Sequence, residues 1–297
     1  MDSISRGDVE LPGRYRTMQL DLPVAARQRQ AVVCIPAAPP PPAGWPLVLA
    51  FHGGQSHPEM MRRFSGLDVL AAEGRAVVAY PAGTGSRDGL FTWNGGNCCG
   101  EARDTGSDDV GFVRALVADI ARRMPIDARR VHATGMSNGA MMCYRLAAEL
   151  SDKIAAIAPV AGTMAIPEAK PRRPVPVIHF HGTDDSMVGY EGPGGKVPDG
   201  MTFKSVDQSV RTWALLNGCP EQAMTTTVPD TNRDDDCTVE CSVYGPGKDG
   251  AEVVLYTIRG GGHTWPGRKA ARFLGASTLD IDASTLIWEF FQRHPKE

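Results

Sequence analysis

The chain has 297 residues, 42% of them hydrophobic and 22% charged, with a formal net charge of −3. This is an ordinary globular composition, long enough for one large α/β domain or two small ones, and its near-neutral balance leaves no footprint for nucleic acid or an anionic membrane. No run of about 18 apolar residues is present, so no transmembrane helix is expected, and residues 1–16 lack a basic head followed by an apolar core, so no signal peptide is expected there.

Thr17 to Leu22 and Gln30 to Ile35 alternate apolar and polar residues, which predicts an N-terminal antiparallel hairpin. A proline-rich connector follows over 37–46. Leu47 to Phe51 is continuously apolar, as in a central parallel strand buried on both faces, and it ends in His52-Gly53-Gly54-Gln55. A helix is expected over 59–73, a buried strand over 76–80 and a long Gly/Asn/Cys-rich loop over 81–106. Asp108 or Asp109 caps a helix over 110–124.

A strand over 130–136 then runs into Gly135-Met136-Ser137-Asn138-Gly139 and a helix over 140–150. Strands follow over 154–160 and 176–180, the second ending in His181-Gly182-Thr183-Asp184-Asp185. A Gly/Pro-rich loop covers 187–201, a helix 206–216, and a last strand 253–258 ends in Gly260-Gly261-Gly262-His263 before a closing helix over 277–291. Strands alternate with helices, so the expected class is α/β: a mainly parallel sheet covered on both faces, in one domain over 1–297.

Sites in such sheets lie beyond the carboxyl ends of the strands. Strand, sharp turn and helix around Gly-x-Ser-x-Gly form the context of a nucleophile elbow, in which small flanking residues leave room for a strained serine. Acyl transfer needs a nucleophile, a base to take its proton and an acid to orient the base. Ser137, Asp185 and His263 occur in the Ser…Asp…His order of the α/β-hydrolases. Asp184 competes with Asp185 for the acid; a His-Gly-x-x-Asp turn favours Asp185. The oxyanion of the tetrahedral intermediate needs two backbone donors: the N–H of Asn138 is one, and the turn after the first parallel strand supplies Gly54 or Gln55 as the other. His52 is placed to hold that turn by hydrogen bonds, and His181 to shape the turn before the acid. Trp93, Trp265 and Tyr190, on loops beside these residues, are candidates for the substrate wall.

The cysteines number seven. Cys34 and Cys143 fall in apolar runs and read as small buried hydrophobes. The spacing of Cys219, Cys237 and Cys241 suits one disulfide and hence an oxidising compartment; without a second pair it does not suit zinc, so no metal is expected.

His52-Gly53-Gly54, Trp93-Asn94-Gly95-Gly96-Asn97-Cys98-Cys99-Gly100, Asp108-Asp109-Val110-Gly111-Phe112, Gly135 to Met142, His181 to Asp185 and Gly262-His263-Thr264-Trp265-Pro266-Gly267 stand together in one order. In these motifs, from about Gly13 to about His294, the chain resembles the polyhydroxybutyrate depolymerase-like esterases, which belong with the feruloyl and acetyl-xylan esterases of carbohydrate esterase family 1. The resemblance implies an α/β-hydrolase fold, a secreted or periplasmic serine esterase without cofactor, and Ser137, Asp185 and His263 as the triad. Two departures stand out. Val188-Gly189-Tyr190 replaces the Val-Pro-Tyr usual after the acid, and Tyr244-Gly245-Pro246-Gly247 lacks a cysteine the family often has, which leaves Cys219 to pair with Cys237, with Cys241 or with nothing.

The expected function is hydrolysis of carboxylic esters through an acyl-enzyme, on feruloyl or other hydroxycinnamoyl esters, with polyhydroxybutyrate oligomers as the alternative. Acetyl-xylan hydrolysis, a serine exopeptidase and a non-catalytic binding module stand further off. No acidic pair for a free amine is evident, and no triad member is missing. No separate substrate-binding domain is evident, which favours soluble esters over solid polymer.

Overall fold

The structure, a computed structural model, describes residues 14–24, 27–87, 89–193 and 200–297. Most of the segment expected to lack a leader, and positions 194–199 of the predicted loop, lie outside them.

The N-terminal hairpin is β1 (Tyr15–Val24) paired with β2 (Arg27–Pro36), Tyr15 opposite Pro36 and Val24 opposite Arg27. Next come β3 (Trp45–Phe51), α1 (Pro58–Ser65), α2 (Val69–Ala72) and β4 (Val77–Pro81). The single helix expected over 59–73 is two, because Gly66 takes a left-handed φ of 63° and returns its N–H to Arg62 O as a C-cap. The expected loop over 81–106 carries a short ribbon, β5 (Thr84–Arg87) with β6 (Leu90–Thr92), and one helical turn, α3 (Gly100–Asp104). Asp108, not Asp109, caps α4 (Asp109–Arg123), accepting from Gly111 N.

Then follow β7 (Ile126–Met136), α5 (Asn138–Glu149), β8 (Ile157–Val160), β9 (Val177–Gly182) and α6 (Val206–Leu216). The chain ends with β10 (Met224–Thr227), β11 (Thr238–Tyr244), β12 (Val253–Arg259) and α7 (Ala283–Arg293). β10 and β11 were not expected. β10 is a four-residue edge strand exposed throughout, and β11 beside it is mostly half-buried with polar residues between its apolar ones, so no apolar run marks either.

Ten strands form one sheet in the order β1-β2-β4-β3-β7-β8-β9-β12-β11-β10. The six from β4 to β12 are parallel, and antiparallel pairs flank them at both edges. Successive residues face opposite sides, as strand geometry requires. Leu47, Leu49 and Phe51 pack with α4, α5 and α6 on one face, and Val48 and Ala50 with α1, α2 and α7 on the other. All seven residues of β3 are buried. The chain order reverses between β3 and β7, a switch point that leaves a crevice at their carboxyl ends. Among the described residues no helix is long and apolar enough to cross a membrane.

Candidate active site

Ser137 stands between β7 and α5 at φ 57° and ψ −122°, a strained conformation for a residue with a side chain. The strain is tolerated because the strand and helix around it are fully packed and its neighbours are small. A Cβ on Gly135 would lie 2.7 Å from the Gly139 carbonyl, and one on Gly139 would lie 2.6 Å from the His52 carbonyl oxygen. The turn therefore lifts the hydroxyl to the sheet edge, above the N-terminus of a twelve-residue helix.

The neighbouring loops are pinned to this turn. Asn138 is buried, and its side chain clasps Trp93: Oδ1 accepts Trp93 N at 2.6 Å and Nδ2 donates to Trp93 O at 2.9 Å. Asn94 N donates to Asp109 Oδ2 at 2.8 Å, and the buried Asp109 is paired with Arg29 at 2.7 Å. This Asn138 clasp and the Arg29–Asp109 pair were not foreseen; they join residues 45 and 80 positions apart.

His52 holds the turn after β3. Its Nδ1–H donates to Gly53 O at 2.7 Å and its Nε2 accepts Gly83 N at 3.0 Å. Burial lowers the pKa of His52 to about 4, so the ring is neutral, as both bonds require. Gly54 is exposed on the wall of the same cavity as Ser137 and Asn138; Gln55, exposed beside it, has a left-handed φ of 54°.

His263 Nδ1–H donates to Asp185 Oδ2 at 2.8 Å, and both side chains are buried. Asp185 Oδ1 accepts Met187 N and Val188 N, each at 2.8 Å. Burial alone would raise the Asp185 pKa; hydrogen bonds from His181 and His263 outweigh it and hold the carboxyl well below its ordinary value. Asp184, its rival in the sequence, is exposed, and among the described residues its side chain accepts only the Thr183 hydroxyl, at 2.8 Å.

Ser137, Asn138, Gly54, Asp185 and Tyr190 line one cavity of about 950 Å³. An apolar cluster of Cys98, Met141, Val188 and Phe203, with Cys99 and Met201 against it, forms part of its wall. Asp207, Glu240, Ser242, Thr257 and Arg259 form a polar part. Phe203 and Met201 escaped the sequence reading because they lie in a loop with no periodic pattern. Only the small residues around them hinted at a site.

Trp93 and Trp265 are not part of the wall, contrary to expectation. Both are 0% exposed. Trp93 packs edge-on against Phe51 at 5.1 Å and donates Nε1–H to His52 O at 3.0 Å. Trp265 donates Nε1–H to Ser284 Oγ at 3.0 Å and lies in the cluster on the α7 face. Each indole buries its whole surface with its one donor satisfied, so each is a post for its loop.

The expected disulfide among Cys219, Cys237 and Cys241 is also absent: all three are free, and Cys98 and Cys99 are joined instead. Cys219 packs in the cluster on the α6 face of the sheet, whereas Cys237 and Cys241 pack on the α7 face, so the sheet itself separates them.

No protein-family profile matches the chain. It is 32% identical over 242 residues to a feruloyl esterase B of Piromyces equi, which covers 79% of this chain and 42% of that protein; the chain thus spans under half of that relative's length. It is 32% identical over 243 residues to a putative esterase, NocK, of Nocardia uniformis subsp. tsuyamanensis, covering 78% of this chain and 69% of the relative. An acetyl xylan esterase structure from Aspergillus awamori superposes with a TM-score of 0.62 at 17% identity, over 93% of this chain and 99% of that one.

Proposed function

The chain belongs to the family of α/β-hydrolase esterases that holds feruloyl esterases, acetylxylan esterases and polyhydroxyalkanoate depolymerases, and we propose that it hydrolyses soluble feruloyl or related hydroxycinnamoyl esters through an acyl-enzyme on Ser137. The observation that carries this is the cavity where Ser137 and the carboxylate paired with His263 meet an apolar wall containing Phe203.

In this mechanism Ser137 Oγ attacks the ester carbonyl carbon while His263 Nε2 takes its proton. Asp185 stabilises the imidazolium and keeps Nδ1 as the protonated nitrogen. The oxyanion is held by the N–H of Asn138, at the start of α5, and by an N–H of the Gly54–Gln55 turn, each donor contributing about 3–4 kcal/mol. The alcohol leaves with the proton from His263, and water repeats the sequence to release the acid.

The acyl group lies against Phe203, Met141, Met201 and the Cys98–Cys99 pair. Aromatic pairing adds about 0.5–1.5 kcal/mol beyond burial, and sulfur–aromatic contacts about 0.3–1.5 kcal/mol. A flat phenolic acyl group collects both; a hydroxybutyrate unit collects neither. The polar wall of Asp207, Glu240, Ser242 and Arg259 suits a hydroxyl-bearing alcohol part. An oxidising compartment, outside the cell or in the periplasm, accords with the joined cysteines.

Steady-state kinetics on methyl ferulate and a 3-hydroxybutyrate dimer test the substrate, with Ser137→Ala as control. Methyl ferulate should show the higher kcat/KM, and Phe203→Ala should narrow the ratio by roughly tenfold, the equivalent of about 1.4 kcal/mol. A better dimer substrate with a ratio indifferent to Phe203 would establish the polyester reading instead.

A further inference from the structure

Asp185 has a second histidine partner. Tyr144, His179 and His181 are buried to 0%, 0% and 1% exposure, none lines the cavity, and the proposed mechanism does not use them. They nevertheless form one continuous chain. Tyr144 OH lies 2.8 Å from His179 Nδ1, His179 Nε2 lies 3.1 Å from His181 Nδ1, and His181 Nε2 lies 2.8 Å from Val188 O and 3.4 Å from Asp185 Oδ2. The two imidazoles alternate along β9 on the α5 face, stacked at 5.3 Å with planes 3° apart.

The direction of the chain follows from its ends. A carbonyl oxygen only accepts, so His181 Nε2 carries a proton aimed at Val188 O and Asp185. In a neutral ring Nδ1 is then an acceptor, which requires a proton on His179 Nε2. His179 Nδ1 in turn accepts, and Tyr144 donates. With both rings neutral, every ring nitrogen is satisfied only in this order. Burial and then the neighbouring His181 hold His179 well below its ordinary pKa, in keeping with a neutral ring. The other titratable groups facing the chain are His263 across Asp185, Tyr190 edge-on to His181 at 5.9 Å, and Cys143 beside Tyr144.

We propose that Tyr144, His179 and His181 are positioning residues for the catalytic carboxylate, a one-directional buried relay that holds Asp185 Oδ2 and the Val188 loop in register for His263. It rests on the triad reading above. His181 Nε2–H shares Oδ2 with His263, drawing off part of the carboxylate charge that would otherwise make His263 more basic. Asp185 thereby has donors on both oxygens and a single side-chain orientation. The relay touches no substrate, so it acts on kcat and on the basicity of His263, not on KM.

The test is the pH dependence of kcat/KM and the separate kcat and KM values for Tyr144→Phe, His181→Leu and His181→Gln, with Ser137→Ala alongside. Tyr144→Phe removes one oxygen atom from the far end of the relay. His181→Leu should lower kcat about tenfold with KM near the parent value and move the acid limb up by about half a pH unit. Tyr144→Phe should do the same to a smaller degree, about threefold in kcat. His181→Gln, whose amide N–H can stand at the Nε2–H position, should restore both. A Tyr144→Phe enzyme with the parent kcat and acid limb overturns the relay, and it decides alone if His181→Leu does not fold. His181→Gln no better than His181→Leu, both folded, overturns it also. An active Ser137→Ala enzyme overturns the triad reading and the relay with it; an inactive one beside an unmoved Tyr144→Phe overturns the relay alone.

Discussion

Replacing Asp185 with Asn leaves shape and volume nearly unchanged and tests the proposed acid directly. The carboxylate accepts three close donors, Met187 N and Val188 N at 2.8 Å on Oδ1 and His263 Nδ1 at 2.8 Å on Oδ2, and His181 Nε2 stands 3.4 Å from Oδ2. An amide has one oxygen to offer. Turned toward His263, it would set its NH₂ against two backbone N–H groups, and orphaning the buried Val188 N–H alone costs about 1–3 kcal/mol. Turned toward the loop, it keeps both backbone bonds, and His181 retains its bond to Val188 O at 2.8 Å. The second arrangement wins. It aims an NH₂ at His263 Nδ1, which must then surrender its proton to Nε2. A ring protonated on Nε2 cannot take the Ser137 proton. The expected loss in kcat is about 10⁴-fold, the size found for the same change in the serine protease template, or about 5 kcal/mol of barrier. Asp184→Asn, which removes only an exposed partner of Thr183, should stay within about twofold. Initial rates on p-nitrophenyl butyrate, with thermal melts to show that both variants fold, give the comparison. An Asp185→Asn enzyme within about tenfold of the parent, or the opposite ranking of the two aspartates, would refute the reasoning.

Ser137→Ala should abolish ester hydrolysis and shift stability by less than about 1 kcal/mol, because alanine at φ 57° carries the same backbone strain and the hydroxyl makes no hydrogen bond among the described residues. Trp93→Ala and Trp265→Ala, by contrast, should each cost about 3–5 kcal/mol in chemical unfolding; a stable variant with altered substrate preference would contradict their place as buried posts. Stability should fall as pH drops from about 6.5 toward 4: below 6.5 the unfolded chain protonates His52, while the native ring, at about 4, refuses the proton and so keeps its bond from Gly83 N. The loss from this residue is about 3 kcal/mol at most, and calorimetric melts unchanged between pH 7 and 4.5 would disprove it. Asp185, held below its ordinary value, contributes stability present above the carboxylate range and lost only at more acid pH. Finally, alkylation of unfolded, unreduced protein should label five cysteines and spare Cys98 and Cys99 until reductant is added; a protected Cys219 would restore a disulfide to the C-terminal third.

The parts of this protein legible in the sequence are those whose chemistry is local. Gly135, Ser137 and Gly139 must stand at that spacing because a strand that turns sharply into a helix leaves no room for larger neighbours. The continuous apolar runs at 47–51 and 76–80 mark strands buried on both faces, and the chain order of Ser137, Asp185 and His263 places all three at carboxyl ends of such strands. What only the tertiary structure decides is which way a side chain in a loop faces, and whom it meets across the sheet. Nothing local distinguishes Trp93, turned inward onto Phe51, from Phe203, turned toward the cavity; the difference is set by the clasp from Asn138 and by helices far away in sequence. Cys219 and Cys237 have a spacing that suits a bridge, yet the sheet lies between them. The path from Tyr144 through His179 and His181 to Asp185 exists because α5 packs over β7 and β8 and Tyr144 reaches from it to His179 on β9, and a hydrogen bond across two elements has no signature in either one.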